Sequence, residues 1–284
     1  MEFTAAMHDT EHFELAEAIL PTVLAAGRVT LKYFAKDVAV ELKSDSSPVT
    51  IADRESEELI LRAISRFWPQ IPVIGEESAA AGEQMPREQP SYFLVDPLDG
   101  TRDYIAGCQD FTVNVGFVEG GRPVFGIIYQ PPTGRLFVTL ARSRVIEARV
   151  AADTSISRIA DLDARQIRTR SANRDKLRVA ISKSHHLSSL DSRLKTLGLR
   201  DQLAVGSSLK FCLVARGEAD IYPRLSSICE WDTAAGHAIV EAAGGRVLGL
   251  NGEPLKYGAS TGDCRIAPFV AWGDPTLTAT YRFN

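Results

Sequence analysis

Two carboxylates stand three residues apart where an apolar segment meets a turn: Tyr92 to Val95 lead into Asp96, Pro97, Leu98, Asp99, Gly100 and Thr101. The apolar run delivers Asp96, Pro97 cannot donate to a ladder, and Asp99 with Gly100 turns the chain. Carboxylates at that spacing on a tight turn can point into one small volume, where like charges repel and burial raises a pKa. A hard divalent cation resolves the conflict. Mg2+ takes oxygen ligands, keeps several waters, and combines a few carboxylates with substrate phosphate. Gly100 and Thr101 then open a turn whose backbone can approach an anion closely. The chemistry described is metal-dependent attack on a phosphate ester, although the same residues would also suit an ordinary surface turn.

Two other segments shift that balance. Glu76 and Glu77 end a short apolar stretch (Val73, Ile74, Gly75), and adjacent side chains at a strand end diverge, so one acid is expected to face the site. Asp232 follows Trp231 and precedes an Ala-rich helix; standing alone it would be only a favourable helix-start charge, worth roughly 0.3–1 kcal/mol. Asp96 to Thr101, with Gly75 to Glu77 upstream and Trp231, Asp232, Ala234, Ala235 and Gly236 downstream, resembles the inositol monophosphatase superfamily of metal-dependent phosphatases. Order and spacing fit over nearly the whole chain. Within that superfamily, Gly206 to Ala215, Tyr222 to Arg224 and Ser182 to His185 resemble the bacterial 3'(2'),5'-bisphosphate nucleotidases.

The resemblance implies a mixed α+β and α/β fold, a layered α-β-α-β-α sandwich. It implies removal of the 3'-phosphate of adenosine 3',5'-bisphosphate to give AMP and phosphate, with the sulfated analogue as a further candidate substrate and sulfur assimilation as the setting. It places roughly two or three Mg2+ ions on Glu76, Asp96, Asp99, Asp232 and the carbonyl of Leu98. Asp53, Thr101 and Glu76 would act on the attacking water, and Lys43 would be a supporting cation. Gly100, Thr101, Asp232, His185, Ser207, Lys210 and Arg224 would contact substrate, and Li+ would inhibit by replacing one Mg2+.

The residues support the second half of that set on their own terms. Ser207 and Lys210 lie one helical turn apart after Gly206, so both can face one ligand. Arg224, at a strand end, adds a forked cation. A second phosphate that must be held without being cleaved needs such groups. Inositol monophosphate and fructose 1,6-bisphosphate remain alternative substrates for the same metal machinery. A non-catalytic nucleotide-binding protein is disfavoured because Glu76, Asp96, Asp99, Asp232, Asp53 and Thr101 are all present.

The elements that must position these groups follow two rhythms. Residues 11–34 repeat apolar positions at helical spacing, with Pro21 expected to kink or restart the helix, and 53–67 form the clearest amphipathic helix. Short strands at 73–74, 92–95, 111–118, 124–129 and 136–140 then make an antiparallel run, an α+β pattern. From 178 onward strands and helices alternate (178–181, 188–197, 203–205, 207–216, 220–222, 232–243, 246–248), an α/β pattern. The expected organisation is an N-terminal extension 1–20, a metal-binding part 21–142, a variable connection 143–177 and a substrate-binding part 178–284. His8 and His12 fall in the extension, and His237 is expected to pack within its helix.

Composition sets the outer limits. The 284 residues are 45% hydrophobic and 24% charged, enough for a large core. Lys and Arg total 32 against 36 Asp and Glu, leaving no basic excess to hold a nucleic-acid backbone. Cys108, Cys212, Cys229 and Cys264 form no metal knuckle and read as reduced thiols. No cationic leader precedes Arg28 and no apolar run nears the ~18 residues of a membrane span, so a soluble cytoplasmic protein without an integral membrane segment is expected. The resemblance would permit a peripheral inner-membrane location, but no amphipathic basic anchor supports one. Oligomeric state stays open.

Overall fold

The computed structural model describes residues 7–34, 39–82, 89–183, 188–258 and 264–283. Its first half runs α1 (Asp9–Tyr33), β1 (Glu41–Leu42), β2 (Pro48–Val49), α2 (Ile51–Phe67), β3 (Val73–Gly75), α3 (Glu76–Ala80), β4 (Ser91–Asp99), α4 (Thr101–Ile105), β5 (Thr112–Glu119), β6 (Arg122–Gln130) and β7 (Arg135–Ala141). Then come β8 (Arg144–Arg149), β9 (Ala164–Ile167), β10 (Arg178–Ser182), α5 (Ser188–Thr196), β11 (Asp201–Val205), α6 (Leu209–Ala215), β12 (Ile221–Arg224), β13 (Ile228–Cys229), α7 (Ala234–Ala242), β14 (Arg246–Gly249), β15 (Arg265–Ile266) and β16 (Phe269–Trp272).

Two sheets organise these elements. The first has seven strands in the order β3 to β9; β3 is parallel to β4 and every other pair is antiparallel. The second has the order β11-β10-β12-β16-β14, parallel at β11-β10-β12 and antiparallel around β16. Alternation along the strands sorts the core into layers. Phe93, Val95, Val113 and Val115 face Leu15, Ile19, Leu20 and Ile60 of α1 and α2. Leu94, Ile128 and Phe137 face the opposite way, onto a middle layer with Phe211 of α6 and Ile239 of α7, which Ala180 and Phe269 of the second sheet close from the far side. Val179, Ile181 and Ile221 point outward onto Leu190 and Leu194 of α5. The result is helix, sheet, helix, sheet, helix.

Several boundaries differ from those expected. Helix α1 passes through Pro21 as one element and buries Leu15, Ala16, Ile19 and Leu20. From Asp9 onward, therefore, 1–20 is core structure and not an extension. His12 is fully buried, its two ring nitrogens 3.0 and 3.1 Å from the carbonyls of His8 and Val124. The segment 143–177 carries β8 and β9, which extend the first sheet, so it is more than a connection. Strand β16, in the interior of the second sheet, was not anticipated; four buried apolar residues are too short a run for periodicity to declare. No described helix is long and apolar enough to cross a membrane.

Gly126 and Gly116, paired across β6 and β5, let α7 seat directly on the first sheet. A Cβ at Gly126 would lie 2.2 Å from the backbone oxygen of Ala235, an approach no side chain tolerates. Gly126→Ala should therefore destabilise the fold by about 1–3 kcal/mol through overpacking, measured as a lower denaturant midpoint. Unchanged stability would mean that α7 is not seated this way.

Candidate functional site

Asp96 points to the same side of the first sheet as Leu94, toward the α6–α7 layer. In a regular strand Asp99, an odd number of residues away, would face the other side. It does not, because the ladder to β5 slips there. Asp96 pairs with Asn114 and Asp99 with Thr112, so one extra residue is accommodated in β4. A bulge of this kind re-aims a side chain, and here it puts both carboxylates on one face. Gly100 then takes a left-handed φ of +96°, and its missing Cβ clears the backbone oxygen of Asp110. Thr101 follows as the first residue of α4.

Three further segments converge on that bulge. Glu76 opens α3 directly after β3, and Glu57 seats the turn by accepting from the amides of Glu77 and Ser78, each at 2.8 Å. Asp232 precedes α7 and accepts from the amide of Cys229 at 3.1 Å. Carboxylate oxygens of Glu76, Asp96 and Asp232 all lie within 4.8 Å of one another. Asp53 comes from the first turn of α2, where it closes a capping box: its Oδ2 accepts from the Thr50 amide and hydroxyl at 2.8 and 2.6 Å. Its Oδ1 accepts from the Thr101 hydroxyl at 3.1 Å, and that hydroxyl also lies 3.1 Å from the Leu98 carbonyl.

The electrostatics are those of crowded, buried carboxylates. Burial, then the Glu76 carboxylate, raise the Asp96 pKa well above its ordinary value. Burial pushes Asp99 up to about 6 against the opposing pull of Lys210 and the Ser208 amide. Burial, followed by the charges of Asp99 and Glu76, pushes Asp232 to about 8. Asp96 Oδ1 accepts from the Leu98 amide at 3.0 Å, but Oδ2 is buried without a donor. A buried oxygen with no proton donor, facing other carboxylates, suits a hard divalent ion. The donor set fits Mg2+: carboxylate oxygens, with the Leu98 carbonyl on the same cavity wall.

Lys43 borders the cage, its Nζ 2.6 Å from both Glu76 Oε1 and Glu77 Oε1. Burial disfavours its charge, yet the two carboxylates outweigh that and hold its pKa above the ordinary lysine value. Glu76 lines the cavity and Glu77 does not. The separation arises because the pair starts a helix, rather than from divergence at a strand end as the sequence suggested.

Basic residues line the same cavity, of about 250 Å3, as the acids. Lys210 on α6 is only 4% exposed; its Nζ donates to the Ser207 carbonyl at 2.5 Å and lies 5.5 Å from the centre of the Tyr222 ring. Burial lowers its pKa to about 8, although Asp99 acts to raise it. Arg224, at the end of β12, lines the same cavity, and its Nε is buried without a partner. Ser207 adopts a left-handed φ of +50°, uncommon for a residue with a side chain.

Of the residues expected from sequence, Glu76, Asp96, Leu98, Asp99, Gly100, Thr101, Ser207, Lys210, Arg224 and Asp232 line this one cavity. Asp53 touches it through Thr101, and His185 lies in 184–187, outside the described residues. His237 is held by the Tyr257 hydroxyl at 3.2 Å and is not among the cavity residues. Sequence reasoning missed Thr112, Asn114, Ser208 and Glu57, all buried polar groups beside the acids. Two polar residues on one face of an apolar strand, next to the Asp96 strand, were the available signal for Thr112 and Asn114.

The cage makes stability depend on pH. Folded metal-free protein keeps protons on Asp99 and Asp232 up to about 6 and about 8. An unfolded chain releases them near the ordinary Asp value of about 3.9. Between these limits the folded state binds more protons, so stability of the metal-free protein falls as pH rises. A bound divalent ion cancels that loss. In thermal melts, MgCl2 should raise Tm more at about pH 8 than at about pH 5; an equal or larger shift at the lower pH would contradict the cage.

Comparison with known proteins shows the family. The inositol monophosphatase family model matches residues 12–272. A protein named 3'(2'),5'-bisphosphate nucleotidase CysQ from Escherichia coli O157:H7 is 39% identical over 78% of this chain and 85% of its own length. One of the same name from Buchnera aphidicola is 35% identical over 87% of this chain and 89% of its own. Among solved structures, CysQ from Bacteroides thetaiotaomicron, titled a bacterial member of the inositol monophosphatase family, superposes with a TM-score of 0.77 at 30% identity, covering 92% of this chain and 97% of that one. The chain belongs to the inositol monophosphatase family.

Proposed function

We propose that this protein is a Mg2+-dependent phosphatase that removes the 3'-phosphate of a 3'(2'),5'-bisphosphate nucleotide, with adenosine 3',5'-bisphosphate as substrate and AMP and phosphate as products. The observation that carries the reading is one cavity lined by two unlike sets of groups: the clustered acids, and buried Lys210 with Arg224. A plain monophosphatase needs only the acids. The names of the CysQ relatives support the same substrate class.

A phosphate monoester is nearly dianionic near neutral pH and repels a nucleophile. Divalent ions held by Glu76, Asp96, Asp99, Asp232 and the Leu98 carbonyl would neutralise that charge, activate water and stabilise the leaving oxygen. The chain's own groups handle protons and orientation. Asp53 is fixed at Oδ2 by both Thr50 donors, which leaves Oδ1 aimed at Thr101. The Thr101 hydroxyl can accept a proton from the attacking water as it passes its own to Asp53 Oδ1. Lys43 holds Glu76 in place. Lys210, Arg224 and Ser207 would grip the 5'-phosphate and sugar, so that the 3' ester meets the acids. The number of ions and His185 as a further substrate contact belong to the proposal. A cytoplasmic location does too; nothing in the structure supports peripheral membrane association.

Phosphate release from adenosine 3',5'-bisphosphate, inositol monophosphate and fructose 1,6-bisphosphate, each with and without Mg2+, tests the reading. The nucleotide should have the highest kcat/KM, and turnover should vanish without the ion. Lys210→Ala should reduce kcat/KM for the bisphosphate at least tenfold more than for adenosine 3'-monophosphate, a difference of about 1.4 kcal/mol. Equal losses on both would remove Lys210 from recognition of the second phosphate.

A further inference from the structure

The acids and the cations that line the cavity come from different parts of the fold, and one chain of buried hydrogen bonds joins Asp99 to the Ser207 turn. Thr112 and Asn114 on β5 and Ser208 before α6 are each at most 3% exposed. Ser208 donates its amide to Asp99 Oδ2 at 2.5 Å and its hydroxyl to Asn114 Oδ1 at 2.9 Å. Asn114 Nδ2 reaches Asp99 Oδ2 at 3.4 Å, and Thr112 Oγ1 lies 2.8 Å from Ser208 Oγ.

The direction of every bond follows from Asp99. An ionised carboxylate only accepts, so Asn114 must turn its NH2 toward Asp99 and its oxygen toward Ser208. Ser208 must then spend its single hydroxyl proton on Asn114. Its remaining lone pairs can only accept, so Thr112 donates to Ser208. The Thr112 proton is shared at longer range, 3.3 Å, with Ser207 Oγ. No alternative ordering leaves all of these groups satisfied. The chain ends on one side at Asp99, whose charge acts on Asp96 and Asp232 of the acid cluster. On the other it ends at the left-handed Ser207, whose carbonyl holds Lys210 Nζ.

We infer that Thr112, Ser208 and Asn114 are positioning residues that couple the cation-holding carboxylates to the loop gripping the nucleotide. The inference rests on the proposed function and adds a thermodynamic link to it. Asp99 held by a cation fixes Asn114 and the Ser208 amide. These fix the Ser207 turn, and with it the direction of Lys210. Linkage requires the reverse: a nucleotide seated on Ser207 and Lys210 must tighten cation binding even when it lacks the 3'-phosphate, and any tightening made through its 3'-oxygen alone would survive loss of the hydrogen-bond chain.

AMP is such a ligand, and Mn2+ is a cation whose binding is read directly by electron paramagnetic resonance without any turnover. In the wild-type protein, saturating AMP should tighten Mn2+ binding about fivefold or more. Thr112→Val keeps the shape of the side chain and both donors to Asp99, so it should still bind Mn2+ in the absence of AMP. Its AMP-dependent tightening should fall to less than about twofold, and Thr112→Ser should restore it. Ser208→Ala, which keeps the amide but breaks the chain at its centre, should behave as Thr112→Val does. Circular dichroism identifies a variant that has failed to fold, and either Thr112→Val or Ser208→Ala alone suffices for the comparison. Coupling that persists in a folded variant overturns the inference, as does its absence in the wild type. AMP that binds the wild type without altering Mn2+ affinity defeats the coupling alone. AMP that fails to bind at all defeats the coupling and the nucleotide reading together.

Discussion

Carboxylates crowded into a poorly solvated cavity cannot all stay ionised without a cation, and the architecture of this protein is arranged around that constraint. At separations within 4.8 Å, each like-charged pair repels by about 3 kcal/mol or more even at an effective dielectric near 20. The raised pKa values of Asp96, Asp99 and Asp232 express the same repulsion together with burial. Lys43 relieves part of it at the rim. On the proposed function the remainder favours a bound divalent cation, and such ions are what a dianionic ester needs in order to be attacked.

Holding the acids in this costly arrangement requires rigid supports on several sides. The bulge in β4 sits inside a seven-stranded sheet. α2 presents Asp53 from a capped first turn, and Glu57, one turn further along, clamps the start of α3. Gly116 and Gly126 allow α7 to lie against the sheet so that Asp232 reaches the cluster. The middle helical layer thus serves two purposes: it fills the space between the sheets, and it carries Asp232, Ser208 and Lys210 to the cavity. Chemistry and recognition meet where that layer touches the bulge.

Much of this was legible in the sequence because local chemistry and global fold agree. Most helices and strands outside 143–177 and the Ser207–Lys210 spacing follow from residue type and periodicity, whereas the gathering of the separate acids was expected from the family resemblance. Other features were not legible because they depend on partners distant in the chain. Asp96 and Asp99 share a face through a register slip against β5, which no local turn propensity reveals. Residues 1–20 read as an extension, yet Leu15, Ile19 and Leu20 find their cover on strands of the first sheet far along the chain. Thr112 and Asn114 are the polar positions of an alternating strand, which locally suggests an exposed face; they are buried with Ser208 and Asp99 as hydrogen-bond partners.

Anomalous diffraction from crystals soaked in Mn2+ tests the central claim most directly. The account predicts manganese peaks within direct ligation distance of the Glu76, Asp96 and Asp232 carboxylates, with Asp96 Oδ2 among the ligands. Peaks elsewhere, or none beside these oxygens in crystals of protein that is active with Mn2+, would contradict it.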